Sequence, residues 1–257
     1  KEIGRERVIL STKCGIWWKS PRGSYFNTRS GIDNYKCLEP ETIRIEIEDS
    51  LKRLQTDYID IYHTHWQSVP PHFTPVEETM QALLELKKEG KIRAIAVSNA
   101  DVPCMEEYLR CGRIEACQPN YSLLNRKIEQ DILPFAVEHS MSVLAYSPLE
   151  RGLLTGKITM DTQLTLAQSM MAWMRPENRA KVLAMLEKFS PLLEKYHCTM
   201  AQLMIAWTLQ QRGLSHVLCG VSKPKNAEEN AQAGDIVLSE ADLQLIRSSA
   251  EALGTPQ

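Results

Sequence analysis

Several features that mark large classes of proteins are missing from this 257-residue sequence. Its seven cysteines form no C-x-x-C pair and are odd in number, which argues against a disulfide framework and fits a reducing cytoplasm. No apolar run reaches the roughly 18 residues that a membrane helix needs. The first ten residues, KEIGRERVIL, lack the charged-then-apolar form of a signal peptide. We therefore expect a cytoplasmic protein with no membrane segment.

An excess of charge of either sign is also missing. The chain has 30 Lys and Arg against 32 Asp and Glu, so its formal net charge is −2. A nucleic-acid-binding protein needs a clustered basic excess. The aromatic and basic stretch WWKSPRGSYFN (17–27) is similar in composition to a nucleic-acid loop, but the net charge argues against that interpretation. We expect a small-molecule partner and no nucleic acid.

The pattern that is present alternates short apolar runs with longer amphipathic stretches, which indicates β/α units and a parallel sheet. Strands are predicted at 8–13, 58–65, 93–99, 116–122, 142–148 and 216–221. Helices are predicted at 40–55, 75–91, 103–111, 127–139, 177–196, 199–211, 225–233 and 239–252. Six strands could form a doubly wound open sheet, whereas a (β/α)8 barrel needs eight. No Gly-rich dinucleotide fingerprint follows any strand, which argues against a Rossmann domain.

Polar side chains follow the strands at the point where each one ends, and the two longest stretches without a pattern, 15–39 and 155–175, follow strands as well. The strand-end residues are Lys13, His65, Ser98 with Asn99, Gln118, Tyr146 with Ser147, and Ser222 with Lys223. In barrel enzymes the carboxyl ends of the strands form the active-site mouth. The pattern therefore predicts a site at this end of the sheet.

The stretch DIYHTHW (60–66) contains two histidines one residue apart. An H-x-H pair is compatible with zinc, but a zinc site needs at least one further ligand, and no other His or Cys cluster supports it. The alternatives are a role in substrate chemistry and simple loop packing. We predict no metal, and we expect His63 to support His65.

Six segments in order along the chain resemble the aldo-keto reductase superfamily. They are STKCG (11–15), LKRLQTDYIDIYHTHW (51–66), GKIRAIAVSN (90–99), CQPNYSLLNR (117–126), AYSPLERGLLTGK (145–157) and GVSKPKNAEEN (220–230). The loop HTHWQSVPP (63–71) is most similar to bacterial reductases of methylglyoxal and related small aldehydes. The resemblance implies an α/β fold, a (β/α)8 TIM barrel, of which residues 1–257 carry about six β/α units as a single domain.

The family reduces an aldehyde or ketone with NADPH and uses an Asp, Tyr, Lys and His set. By resemblance, Lys13 is the family lysine that lowers the pKa of the tyrosine, and His65 binds the carbonyl oxygen. The alternative for Lys13 is a surface lysine at a strand end. The family Asp and Tyr match no residue here, so we expect that they and the first two β/α units precede residue 1, which makes the domain N-terminally incomplete.

The resemblance also assigns the cofactor residues. Ser98, Asn99 and Gln118 match positions that bind the nicotinamide carboxamide, and Tyr146 matches the aromatic that stacks on the ring. Ser147, Leu149, Gly152 and Lys157 lie in the loop over the pyrophosphate, where Gly156 also gives the backbone freedom. Ser222 and Lys223 match the 2′-phosphate site, and Asn226, Glu229 and Asn230 match the adenine end. Many relatives carry Arg where Asn226 stands, so the preference for NADPH is less supported here.

Aromatic side chains in the loops after strands are the candidate walls of a substrate pocket, and simple loop packing is the alternative. Trp17 and Trp66 are the main candidates, and Trp18, Tyr25, Phe26 and Trp173 are others. The sequence thus predicts NADPH-dependent reduction of small aldehydes or α-dicarbonyls by a monomer or homo-oligomer. A non-catalytic NADP(H)-binding or redox-sensing subunit is the alternative function. A metal hydrolase on a barrel is disfavoured because acidic and His ligands do not cluster.

Overall fold

Strands and helices alternate along the chain in the computed structural model, which describes residues 4–256. The strands are β1 (Ser11–Cys14), β2 (Ile16–Trp17), β3 (Ser24–Arg29), β4 (Ile32–Lys36), β5 (Ile59–Thr64), β6 (Ile92–Ser98), β7 (Ala116–Gln118), β8 (Ser142–Tyr146) and β9 (His216–Leu218). The α-helices are α1 (Pro40–Leu54), α2 (Val76–Lys88), α3 (Val102–Cys111), α4 (Ile132–Glu138), α5 (Leu166–Ser169), α6 (Pro176–Glu187), α7 (Ser190–Tyr196), α8 (Met200–Leu209), α9 (Pro224–Gln232) and α10 (Glu240–Glu251). All six predicted parallel strands are present; β6 begins and ends one residue earlier than predicted, and the other five are shorter than predicted.

The described residues divide into two units. Unit 1 contains the described part of Lys1–Pro119 together with Pro134–Val143, and unit 2 contains Asn120–Leu133 with the described part of Leu144–Gln257. The expectation of a single barrel domain over 1–257 stays a prediction.

Unit 1 is built on the parallel strands β1, β5, β6 and β7, which pair as neighbours in that order. The first two residues of β8 continue the pairing, with Ser142 opposite Ala116 and Val143 opposite Cys117. Strand β5 is buried at most of its positions, as expected for a parallel strand covered on both faces. Helix α1 covers the sheet with Ile43, Ile47 and Leu51, which recur every four residues and therefore share one face of the helix.

The segment 15–39 is not the unstructured loop that the sequence analysis predicted. Strands β2, β4 and β3 form a separate antiparallel sheet there. The turn of the β3–β4 hairpin is Ser30–Gly31, and both residues have positive φ, 52° and 77°. Such a turn matches the twist of the two flanking strands. A Ser-Gly pair between two alternating stretches was the signal for this hairpin.

Unit 2 contains the last three residues of β8, which pair in parallel with β9, Leu144 opposite His216 and Tyr146 opposite Leu218. Its core includes Trp207 of α8, which is fully buried and stacks on Tyr121 with ring centroids 6.3 Å apart. The Trp207 indole N–H donates to the Leu243 carbonyl at 3.1 Å. This bond satisfies the one polar atom of a side chain that otherwise packs in apolar surroundings.

The helix predicted at 177–196 is two helices, α6 and α7, separated at Lys188–Phe189. Pro191 lies in the first turn of α7, where a missing backbone N–H does no harm, but it cannot continue a helix from α6. The stretch 155–175 likewise contains the short helix α5 and a 3-10 turn at Ala172–Met174. Within residues 4–256, no helix has the length and apolar character needed to cross a membrane.

Candidate functional site

Lys13 and His65 lie at the ends of the neighbouring strands β1 and β5. The His65 peptide N–H donates to the Cys14 carbonyl at 2.8 Å, which ties the residue after β5 to the strand end that carries Lys13. Burial lowers the pKa of the half-buried Lys13 ammonium. In the described part of the chain, no carboxylate forms an ion pair with Lys13.

The His65 imidazole is half-buried, and no hydrogen bond joins it to a residue in 4–256. Burial, and then the Lys13 charge, lower the pKa of His65 below its ordinary value of 6.5. The ring is therefore mostly neutral at pH 7, with one nitrogen protonated and able to donate. A neutral N–H at this position can bind a carbonyl oxygen without placing a second full charge beside Lys13.

His63 is completely buried and is held by the protein on both ring nitrogens. The Gln118 side-chain amide donates to Nε2 at 3.3 Å, and Nδ1 lies 3.3 Å from the Thr12 carbonyl. An amide NH2 group can only donate, so we assign the His63 proton to Nδ1. Burial is the largest cause that lowers the pKa of His63 to about 4, and the ring stays neutral. His63 therefore holds Gln118 in place, and the expectation that it supports His65 stays a prediction.

Ser98, Asn99 and Gln118 come together at the ends of β6 and β7. The Ser98 hydroxyl donates to the Gln118 carbonyl at 2.9 Å. Asn99 has a left-handed φ of 54° and donates its side-chain amide to the His65 carbonyl at 2.9 Å. Three of the predicted carboxamide-binding residues are thus joined by hydrogen bonds to one another and to His65.

Metal ligands are not grouped in this part of the protein. Across residues 4–256, no three His, Cys, Asp or Glu side chains are placed to hold one ion. His63 has both nitrogens engaged by protein groups, so the H-x-H pair does not present two available ligands. The expectation of a metal-free site stays a prediction.

Unit 2 contains a cleft of about 520 Å³. Its lining includes seven residues that were predicted to bind the cofactor: Ser147, Leu149, Gly152, Lys157, Asn226, Glu229 and Asn230. The other lining residues are Pro148, Arg151, Thr155, Ala201, Leu218, Cys219 and Gly220. Residues from the loop after β8 and from the segment after β9 therefore meet around one cavity.

Several residues in the loop after β8 have left-handed backbone conformations, which set the path of the loop. Ser147, Arg151, Gly152 and Gly156 have φ values of 59°, 51°, 98° and 72°. The Ser122 hydroxyl donates to the buried Glu150 carboxylate, which holds the loop from below. Burial raises the pKa of Glu150. The Glu150 and Gly152 N–H groups donate to the Ser147 and Leu149 carbonyls at 3.1 and 2.8 Å, so the loop's own backbone closes its turns.

Two of the predicted phosphate ligands lie outside this cleft. Ser222 and Lys223 are exposed and do not line it, and Lys223 caps α9 without a side-chain hydrogen bond. Lys225 forms an ion pair with Glu229 at 3.6 Å. The positive charges that do line the cleft are Arg151 and Lys157.

The remaining predicted residues occupy different environments. Tyr146 is half-buried at the end of β8, and burial raises its pKa. Trp66 is half-buried, with the Phe26 ring centroid 5.6 Å away and the Lys36 ammonium 4.7 Å from its ring. Trp17 is only 5% exposed and donates its indole N–H to Ser20 at 2.9 Å within its own loop. The substrate-pocket roles of Trp17 and Trp66 stay predictions.

Sequence reasoning missed three groups of interest. Arg151 lies inside the segment SPLERGLLTGK, and a basic residue directly before Gly152 was a signal for an anion contact. Cys219 lines the cleft as the first residue after β9. No motif or spacing in the sequence indicates a role for Gln67, and only its contacts in the structure identify it.

Comparisons with known proteins agree with this geometry. The model of the "Aldo/keto reductase family" matches residues 2–251. The NADH-specific methylglyoxal reductase of Escherichia coli (strain K12) is 48% identical over 253 residues, which cover 98% of this chain and 77% of that protein. The aldo-keto reductase YhdN of Bacillus subtilis (strain 168) is 33% identical over 98% of this chain and 73% of that protein.

A solved structure supports the fold. The glycerol dehydrogenase AKR11B4 from Gluconobacter oxydans superposes with a TM-score of 0.86 at 30% identity, covering 96% of this chain and 73% of that one. These findings confirm the predicted α/β fold class, and the six parallel strands agree with about six β/α units. They give no support to the expectation that two further units are lacking.

Proposed function

The chain belongs to the aldo/keto reductase family, and from this premise we propose that it reduces small aldehydes and α-dicarbonyls, methylglyoxal among them, with a nicotinamide cofactor. The observation that carries the proposal is the neutral, half-buried His65 imidazole beside Lys13, on a residue whose backbone carbonyl accepts a hydrogen bond from the Asn99 side-chain amide. This arrangement is suited to binding a carbonyl oxygen as charge develops on it.

Carbonyl reduction needs a hydride, an oxygen-binding donor and an acid. When bound, the reduced nicotinamide would supply the hydride. His65 donates a hydrogen bond to the carbonyl oxygen, which orients the substrate and stabilises the alkoxide that forms. The Lys13 ammonium favours the ionised form of a neighbouring acid and so lowers its pKa. By family resemblance that acid is a tyrosine.

The donor set of the cleft in unit 2 fits the diphosphate and adenosine of a nicotinamide cofactor. Arg151 and Lys157 supply positive charge for a diphosphate. Asn226 and Asn230 can both donate to and accept from an adenosine. Ser98, Asn99 and Gln118 provide the amide and hydroxyl groups that suit a carboxamide.

The charges of the cleft favour NADH, whereas the family resemblance predicts NADPH. A 2′-phosphate needs a local cation, yet Asn226 is neutral, Lys225 is paired with Glu229, and the Glu229 carboxylate lines the cleft. Lys223 is exposed outside the lining. The relative named NADH-specific supports the same choice.

A cationic substitution at Asn226 tests this cofactor preference. We expect kcat/KM of the wild-type protein to favour NADH, and Asn226→Arg to shift the NADPH-to-NADH ratio by about tenfold towards NADPH, the equivalent of about 1.4 kcal/mol. The matched control is Gln232→Arg, which adds the same charge to an exposed position of α9 outside the cleft. An equal shift in both variants, or none in Asn226→Arg, would refute the assignment.

The function itself is tested by following NADH oxidation with methylglyoxal. Turnover that is lost in His65→Gln supports the proposal, and cofactor binding without turnover of any small carbonyl refutes it. That second result would favour a non-catalytic nicotinamide-binding or redox-sensing subunit. The cytoplasmic location and the oligomeric state stay predictions.

A further inference from the structure

We propose that Gln67 is a positioning residue that locks the loop carrying His65 to the strand end carrying Ser98 and Asn99. The inference rests on the proposed function, because it assigns a role in aligning the carbonyl-binding group with the cofactor-binding group. Gln67 follows His65 by two residues and is half-buried. Its side chain reaches across from the loop after β5 to the end of β6.

Backbone pairing between β5 and β6 stops short of the candidate site. The last paired residues are Thr64 and Val97, whereas His65, Ser98 and Asn99 come after them. Past that point, side chains make the connection. The Gln67 amide donates to the Ser98 carbonyl at 3.0 Å, and the Asn99 amide donates to the His65 carbonyl at 2.9 Å. Each segment thus anchors the backbone of the other, which fixes the separation between His65 and Ser98.

The orientation of the Gln67 amide is set by Tyr108 of α3. The Tyr108 hydroxyl, on a side chain that is fully buried, donates to Gln67 Oε1 at 2.9 Å. The two amide hydrogens are then directed at the Ser98 carbonyl and at Thr64 Oγ1, the latter at 3.1 Å. A flipped amide would place its oxygen against the Ser98 carbonyl oxygen, so only one orientation satisfies every group. Burial raises the pKa of Tyr108, so its hydroxyl keeps the proton that it donates.

The test compares Gln67→Met with Gln210→Met. Methionine keeps the length of glutamine and removes its hydrogen bonds. Gln210 is the matched control, because it too is half-buried and bonds three partners, the Ala206 and Ile236 carbonyls and the Leu238 N–H, none of which line the cleft. We expect Gln67→Met to lower kcat for methylglyoxal at least about tenfold, and the dissociation constant of NADH to change by less than about threefold. Gln210→Met should keep wild-type kcat at a similar loss of thermal stability.

Tyr108→Phe keeps the fold-supporting ring and removes only the hydroxyl. It should lower kcat in the same direction but less, because the Gln67 amide remains and merely gains freedom to rotate. Combined with Gln67→Met, it should add little, since both changes act through one contact. Wild-type kcat in Gln67→Met, or an equal loss in Gln210→Met, would overturn the proposal, as would full additivity of Tyr108→Phe with Gln67→Met.

A second readout does not depend on turnover. The His65 imidazole resonances, assigned in histidine-labelled protein with His65→Gln, should shift in Gln67→Met and stay in place in Gln210→Met. An unchanged His65 signal in Gln67→Met would refute the positioning role even if the protein reduces carbonyls. A shifted signal in a protein that reduces none would refute the proposed function alone.

Discussion

Replacement of Lys13 by methionine is expected to lower kcat for carbonyl reduction by about two to four orders of magnitude, the range typical of acid–base catalysis. The reason is electrostatic. An unperturbed tyrosine titrates near 10, so it releases its proton slowly at neutral pH unless a neighbouring ammonium stabilises the phenolate. Methionine keeps most of the Lys13 volume but has no charge. Nicotinamide binding, followed by fluorescence quenching, should change by less than about threefold.

The control for Lys13 is Lys52→Met on the exposed side of α1, which removes the same charge far from the strand ends. Unchanged turnover in Lys13→Met would contradict the role assigned to this lysine. A parallel loss of cofactor binding would show instead that Lys13 contacts the cofactor. Because burial lowers the pKa of Lys13, its charge should be lost at a lower pH than that of an exposed lysine. The catalytic pH profile should therefore fall on its alkaline side earlier than the ordinary lysine value of 10.5 implies.

Glu46 is expected to make the protein less stable as the pH rises from about 5 to 8. This carboxyl is 5% exposed on the inner face of α1, and the Gly15 N–H, just after β1, donates to it at 3.0 Å. Burial is the largest cause that raises the pKa of Glu46 to about 8. Below a pH of about 4.5, which is the pKa of this carboxyl in the unfolded chain, the folded and the unfolded protein both hold the proton. Between the unfolded pKa of 4.5 and the folded pKa of about 8, only the folded protein holds the proton. Unfolding therefore releases a proton, and the free energy of unfolding falls as the pH rises.

Glu46→Gln should remove this dependence, because an amide can still accept the Gly15 bond and never ionises. Relative to wild type, the variant should gain about 1.4 kcal/mol of unfolding free energy per pH unit across that window, measured by urea denaturation. Glu48→Gln removes an exposed carboxyl of the same helix and its ion pair with Lys91, so it reports the effect of losing a surface charge and its partner without a buried carboxyl. Wild-type and Glu46→Gln curves that run parallel from pH 5 to 8 would show that Glu46 is ionised in the folded protein.

Local pattern predicted most of the elements, because apolar periodicity and turn residues act over a few positions. The strand around His63 and the helix around Ile47 lie within a few residues of their predicted bounds. The misses also have local causes. The Ser30–Gly31 turn was a hairpin signal, and Pro191 marked the break between α6 and α7.

The sequence by itself determined the α/β class, the family and the residues at the strand ends, since six motifs in order identify the frame into which Lys13, His65 and Gln118 fall. It could not determine which groups touch. Three hydrogen bonds join residues that lie 31 to 55 positions apart in the sequence. They link Gln118 to His63, Gly15 to Glu46, and Gln67 to Ser98. It also could not show that Lys223 lies outside the cleft that Arg151 lines. Only the tertiary structure decides these matters, because burial, hydrogen bonding and local charge depend on which distant segments pack together.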